Sequence, residues 1–256
     1  MRKPLLLLAL ISLLAYTACG GGDPSIPNLP NVGGGDNGGG GGDTIPLNST
    51  VKGKISFEGT APAPKKIQTT ADPGCKNSDL TDEQLLVSDG GLENVIIYVS
   101  SNLAGMKLPA RKETVTLDQK GCHYVPHALT LQTGQEFVIK NSDDTAHNVH
   151  THSMINASFN ESQPRVGATK SVKFEQEEIH FPIRCDIHNW MNAFVGVFKH
   201  PLHTVSGKGG AFELKLPTGT FEITAVHENE KFAPQKQMVE VADGATVDLN
   251  FTFKGL

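Results

Sequence analysis

A thiol, an imidazole and a thioether fall within one stretch, Cys185-Asp186-Ile187-His188-Asn189-Trp190-Met191, and a further imidazole stands upstream in Ala146-His147-Asn148-Val149-His150. Two histidine nitrogens and a cysteine thiolate in one plane, with a weak axial thioether, form the donor set of a copper centre that passes single electrons. Cysteine and histidine suit copper in both oxidation states, so such a cage changes little when an electron arrives. His147, Cys185, His188 and Met191 are therefore the expected ligands of one copper ion. Zinc would accept the two histidines and the cysteine but gains little from a methionine. A chain that keeps the motif and binds no metal is the remaining alternative.

The elements that must position these donors read almost entirely as strands. Val51, Ile55 and Phe57 alternate on one face, and Asn94–Val99 is a near-continuous apolar run of the kind buried on both faces. Further strands are expected at 114–117, 129–131, 137–140, 148–151, 171–174, 179–183, 194–198, 211–216, 220–225, 238–241 and 246–253. Turn signals such as Thr133-Gly134, Gly207 to Gly210 and Asp243-Gly244 separate them. No helical pattern runs beyond a turn, which Asp82–Leu86 could supply. Many short strands joined by glycine-rich turns predict an all-β sandwich architecture. One upstream strand then delivers His147, and one loop between two later strands delivers Cys185, His188 and Met191 together.

The N-terminus bounds the compartment. Arg2 and Lys3 precede an apolar run, Leu5 to Leu14, too short to span a bilayer and of signal-peptide length. Ala15-Tyr16-Thr17-Ala18-Cys19-Gly20 resembles a bacterial lipobox, with Tyr16 in place of the usual Leu. Residues 1–18 thus read as a lipoprotein signal peptide and Cys19 as the lipidation site, which would place the chain in the cell envelope. Its membrane would be the outer one, with the protein facing the periplasm or the cell surface. Ordinary secretion with Cys19 removed is the alternative. Residues 19–48, rich in Gly, Pro, Asn and Asp, read as a flexible tether with an rms reach of about 30 Å. The net charge is −5 with no basic cluster, so nucleic acid is not an expected partner.

Of the four cysteines, Cys19 goes to lipid and Cys185 to metal. Cys75 and Cys122 remain, and in an oxidising compartment two such thiols usually pair. Two free, buried thiols are the other option, since sequence alone does not bring their Cα atoms together.

Residues 114–198 are similar to a whole small cupredoxin of the plastocyanin and amicyanin kind. The likeness includes Tyr124-Val125-Pro126 before a strand, Leu131 to Phe137 as strand and turn, Ile139-Lys140-Asn141, then His147-Asn148-Val149-His150. The Cys-x-x-His-x-x-Met loop has the length seen in amicyanins. Asn189 departs from a proline common after the loop histidine, and Trp190 from a Phe-like residue; neither removes a donor. The resemblance implies a Greek-key cupredoxin sandwich, with Asn148 tying the first ligand strand to the cysteine loop. Thr204 to Glu228 resembles the carboxypeptidase regulatory-like sandwich, as do Gly53-Lys54-Ile55-Ser56 and Leu92 to Val95. The expected division is a cupredoxin at 109–200 inserted into a smaller, discontinuous sandwich made of 49–108 and 201–256. One extended cupredoxin with extra strands is the alternative.

These readings imply a membrane-tethered blue-copper protein, not an enzyme, that exchanges electrons with a transient redox protein. Copper storage or delivery, with His150, His152 and Met154 as accessory donors, is a second class of function, and a non-catalytic adhesion module a third. Mid-loop placement predicts that one edge of the His188 ring reaches solvent as the electron port, with Trp190 in the docking surface. Trp190 packing over the site to exclude water is the competing role.

Overall fold

The computed structural model describes residues 44–255 apart from Asn77 and Asn102. The expected signal peptide, the lipidation site Cys19 and most of the tether lie outside the described residues. Among the described residues, every regular element is a strand apart from a single 3-10 turn at Lys208–Gly210, and no helix is long and apolar enough to cross a membrane.

The chain begins with β1 (Ser49–Glu58), β2 (Val87–Ser88), β3 (Gly91–Leu92) and β4 (Ile96–Val99). Nine strands follow: β5 (Val115–Gln119), β6 (Tyr124–Val125), β7 (Ala128–Gln132), β8 (Phe137–Asn141), β9 (His147–Thr151), β10 (Asn160–Gln163), β11 (Thr169–Val172), β12 (Glu178–Arg184) and β13 (Asn192–Phe198). The last six are β14 (His203–Val205), β15 (Ala211–Leu216), β16 (Gly219–Val226), β17 (Gln235–Val241), β18 (Thr246–Asp248) and β19 (Phe251–Lys254).

The first and last strands share one core. A sheet ordered β15-β1-β3-β2, with β18 and β19 also paired to β1, and a sheet ordered β14-β4-β16-β17 enclose Val51, Ile55, Leu92, Ile97, Phe221, Ile223, Val239 and Phe251. In β15 every second residue, Phe212, Leu214 and Leu216, is buried while Ala211, Glu213 and Lys215 face out, the period of a half-buried strand. Full burial of each large apolar side chain contributes about 1.5–3 kcal/mol. Strand β1 pairs with β18 over Thr50–Lys52 and with β19 over Ile55–Glu58. Its partners change at Gly53, where a Cβ would sit 1.7 Å from the Leu249 carbonyl oxygen. Only glycine lets the two backbones come this close.

The middle nine strands form a second sandwich. A five-stranded sheet, β10-β9-β12-β13-β7, and a four-stranded sheet, β11-β8-β5-β6, enclose Leu117, Tyr124, Leu131, Phe137, Ile139, Val149, Phe181, Ile183, Val195 and Val197. Both sheets are mixed: β13 runs parallel to β7, and β5 parallel to β8. The architecture is thus all-β, two sandwiches packed together. Between them the rings of Tyr98 and Phe198 lie 4.9 Å apart, and Phe198 stacks on His203 at 4.8 Å. Arg111, on the segment leading into β5, donates to the carbonyls of Pro201 and His203.

Some sequence expectations differ from the fold. The single strand expected over 246–253 is two, separated at Leu249 and Asn250. The short strands β2, β6 and β14 were not expected, and neither was β10. Its sequence, Asn-Glu-Ser-Gln, is polar and only Gln163 is buried, because β10 is an edge strand held by its ladder to β9 rather than by apolar packing.

Candidate metal centre

The site forms where β9 opens and where the β12–β13 hairpin turns. His147 is the first residue of β9, and the hairpin loop runs from Cys185 to Met191. The loop is closed by its own backbone: Cys185 N–H donates to the Met191 carbonyl at 3.1 Å, and Met191 N–H to the His188 carbonyl at 2.9 Å. These bonds draw both ends of the loop and His188 together, and the pairing of Arg184 with His150 sets the loop beside β9.

His147, Cys185 and His188 are all buried, and one ligand atom from each falls within 4.8 Å of the others. The two Nδ1 atoms face each other at 3.0 Å, and Cys185 Sγ lies 3.8 Å from His188 Nδ1. The sulfur also accepts the His188 backbone N–H at 3.4 Å. Met191 is buried in the same core.

Each imidazole has a carboxylate behind it. His147 Nε2 lies 2.9 Å from Asp143 Oδ2, and His188 Nε2 lies 2.8 Å from Asp72 Oδ2. An ionised carboxylate only accepts, so each Nε2 bears a hydrogen directed at its carboxylate and each Nδ1 faces inward. Two inward nitrogens and a sulfur converging in a buried pocket call for a proton or a cation between them. The converging set, two imidazoles with a thiol, matches a soft or borderline metal such as copper better than any hard cation. The hydrogen bond with His188 holds the Asp72 carboxyl below the usual carboxylate range, and burial lowers the basicity of His147.

Asn148 fastens the loop to β9. Its Oδ1 accepts from the backbone N–H of Asp186 at 2.6 Å and of Ile187 at 3.3 Å, and lies 3.3 Å from Cys185 Sγ. Its Nδ2 donates to Asn160 at 2.7 Å and to Asp186 at 3.2 Å. Tyr124 Oη donates to the Asn148 carbonyl at 2.6 Å, so the strand is gripped from both sides. Partners of this kind orient the side chains that could hold a metal.

Cys75 and Cys122 are bonded to each other, with Cα atoms 5.7 Å apart, and Cys185 is free and buried. The bridge lies over the site, with Cys75 Sγ 3.8 Å from His188 Nε2.

One expectation is overturned. The His188 ring edge does not reach solvent: the residue is 2% exposed. The turn carrying Asp72 and Cys75, which belongs to the N-terminal part of the chain, covers the edge that a loop histidine would otherwise present. Trp190 is half-buried, packs on the core of the second sandwich and donates its indole N–H to the Cys122 carbonyl at 2.9 Å. Its ring centroid lies 5.0 Å from that of His188. His150 stands outside the site, bound to Asp186 at 3.2 Å and 4.3 Å from the His152 ring, while Met154 is 95% exposed.

Asp143, Asp72 and Asn160 were not singled out in the sequence. Asp143 lies four residues before His147, so it had a local signal. Asp72 had none, because it reaches the site from a distant part of the chain.

No family model matches the chain, and no curated protein matches it. Solved structures do. A Cu(I) mutant of amicyanin is 18% identical, covering 33% of this chain and 81% of its own, with a TM-score of 0.30. A purple cupredoxin from Nitrosopumilus maritimus is 20% identical over 32% of this chain and 98% of its own, with a TM-score of 0.28. A copper-containing nitrite reductase from Thermus scotoductus is 16% identical over 38% of this chain and 25% of its own, with a TM-score of 0.29.

Proposed function

We propose that this protein is a one-electron copper carrier of the cell envelope. The observation that carries the reading is the convergence of His147 Nδ1, His188 Nδ1 and Cys185 Sγ in a buried pocket, with both imidazoles oriented from behind by carboxylates. His147, Cys185 and His188 would hold copper, with Met191 as a weak fourth donor. Bound copper would supply a Cu(II)/Cu(I) couple with a strong thiolate charge-transfer absorption. The protein's part is to fix the donors before binding and to exclude water, so that little rearranges when the charge changes. In this reading the chain is a carrier, not an enzyme, and hands electrons to a transient protein partner. A lipid at Cys19 and the glycine-rich tether would hold it to an envelope membrane. The sandwich formed by the first and last strands acts as a scaffold of carboxypeptidase regulatory-like type, contributing the Asp72 turn.

Copper delivery is the less favoured reading, because a donor set this buried offers no easy exchange to an acceptor. The test is the visible spectrum of the purified protein loaded with Cu(II), with a chelator challenge afterwards. An intense band that disappears in Cys185→Ser, with slow loss of copper to the chelator, is expected. A colourless wild-type protein would refute the assignment, and rapid transfer to the chelator would favour delivery.

A further inference from the structure

The two sides of the Cys75–Cys122 bridge carry matching devices. On one side, Asp72 accepts from Gly74 N–H through Oδ1 at 2.6 Å, its carbonyl accepts from Cys75 N–H at 3.0 Å, and its Oδ2 meets His188 Nε2 at 2.8 Å. On the other, Asp143 Oδ1 accepts from Gly121 N–H at 2.6 Å, its Oδ2 accepts from Cys122 N–H at 2.8 Å, and the same Oδ2 meets His147 Nε2 at 2.9 Å. Each half of the bridge therefore sits beside one carboxylate, and each carboxylate backs one imidazole. Thr145 Oγ1 stands 3.4 Å from Asp72 Oδ2, joining the Asp72 turn to the segment between Asp143 and His147.

We propose that Asp72 and Asp143 are positioning residues that bias the centre towards Cu(II), and that the bridge clasps them on the two imidazoles. The inference rests on the copper reading and deepens it. A carboxylate accepting from the outer nitrogen fixes the tautomer and makes the inner nitrogen a stronger donor. Its charge also interacts more favourably with the more highly charged oxidation state, across imidazoles that are themselves buried and so keep water from the intervening path. Both effects have the same sign at both histidines. One of the two carboxylates comes from the turn of the N-terminal segment, so that segment is part of the redox site rather than only a scaffold beside it. It also explains why the covering turn ends in a carboxylate and not in an apolar cap: an apolar residue would exclude water equally well but leave the buried His188 Nε2 hydrogen unpaired.

The test uses the purified full protein and the variants Asp72→Asn and Asp143→Asn, which keep side-chain shape and remove the charge. Cu(II) affinity is expected to fall about tenfold or more in each variant, the usual cost of losing such a partner. Cu(I) affinity is expected to change less, and each tenfold change in the ratio raises the potential by 59 mV for one electron. A second measurement needs no variant. In the zinc-loaded wild-type protein, nitrogen NMR should show both imidazoles protonated at Nε2, with those protons protected from exchange with water. A blue wild-type protein whose potential is the same in both variants overturns this inference and leaves the copper reading standing. Nδ1-protonated rings, or freely exchanging Nε2 protons, overturn it as well. A wild-type protein with no charge-transfer band overturns both together.

Discussion

Replacing Cys75 and Cys122 together by alanine should destabilise the protein strongly while leaving the four proposed copper donors intact. The two cysteines are 47 residues apart, so their bond closes a large loop in the unfolded chain. In the chain-entropy account a loop of this size loses about 14 cal/mol/K on closure, or about 4 kcal/mol at 25 °C. That equals a change of roughly a thousandfold in the folding constant. Alanine is the right replacement because both positions are buried, and a serine hydroxyl there would add a desolvation cost of about 1–3 kcal/mol if unpaired.

The assay is urea unfolding of the metal-free protein, followed both by circular dichroism and by fluorescence. The chain has a single tryptophan, Trp190, whose indole donates to the carbonyl of Cys122 itself. Fluorescence therefore reports the clasp and circular dichroism reports the strands. Both midpoints should fall together in the double variant, while the copper-loaded form keeps its visible band. A loss of under about 1 kcal/mol would mean that the bond does not restrain the unfolded chain as reasoned. A fall in the fluorescence midpoint alone would mean that the bridge holds only the covering turn.

Two further outcomes are expected. His227 is buried with its pKa pushed down to about 4, chiefly by burial and then by the charges of His127 and His180. A depressed histidine pKa contributes stability that is complete above about 6.5 and is lost as pH falls towards 4, roughly 2 kcal/mol by pH 5. His227→Gln should therefore flatten the fall in urea midpoint between pH 7 and pH 5, and an unchanged slope would show that His227 is not held neutral by burial. Trp190→Ala should slow electron self-exchange between the Cu(I) and Cu(II) proteins by about tenfold, the equivalent of losing an encounter contact of about 1.4 kcal/mol. Trp190→Phe should retain most of the rate; equal slowing in both, or no slowing in either, would assign Trp190 to packing over the bridge.

How much of this was legible in the sequence depended on how locally each feature is encoded. The all-β class was legible because strands such as β15 alternate buried and exposed residues one by one, and glycine turns punctuate them. The clustering of Cys185 and His188 was legible because they share one hairpin loop, which ends at Met191. Edge strand β10 was not, since its ladder bonds come from backbone and leave no apolar pattern. The break between β18 and β19 was hidden because its cause, the close passage of Leu249 over Gly53, joins residues far apart in the chain. The misreading of His188 has the same origin. A loop position says that a ring edge points outward from its own sandwich; it says nothing of what another part of the chain lays on top. Here that is the Asp72 turn, which replaces water at His188 Nε2 with a fixed carboxylate.

In the electron-carrier reading proposed above, that replacement would change how a partner docks. An exposed imidazole edge would let a partner approach within contact distance of His188. With His188 covered, the Trp190 ring, 5.0 Å from it, is an aromatic link outward, and the covering turn brings the Asp72 carboxylate to the other side of the same imidazole. Encounters in electron transfer bury little area and dissociate quickly, so the chemistry of this small patch weighs heavily in partner choice. In that reading, the half-buried indole and the Asp72 carboxylate, each against the His188 ring, would favour a partner that presents an apolar contact ringed by positive charge, with rates that fall as salt screens the attraction.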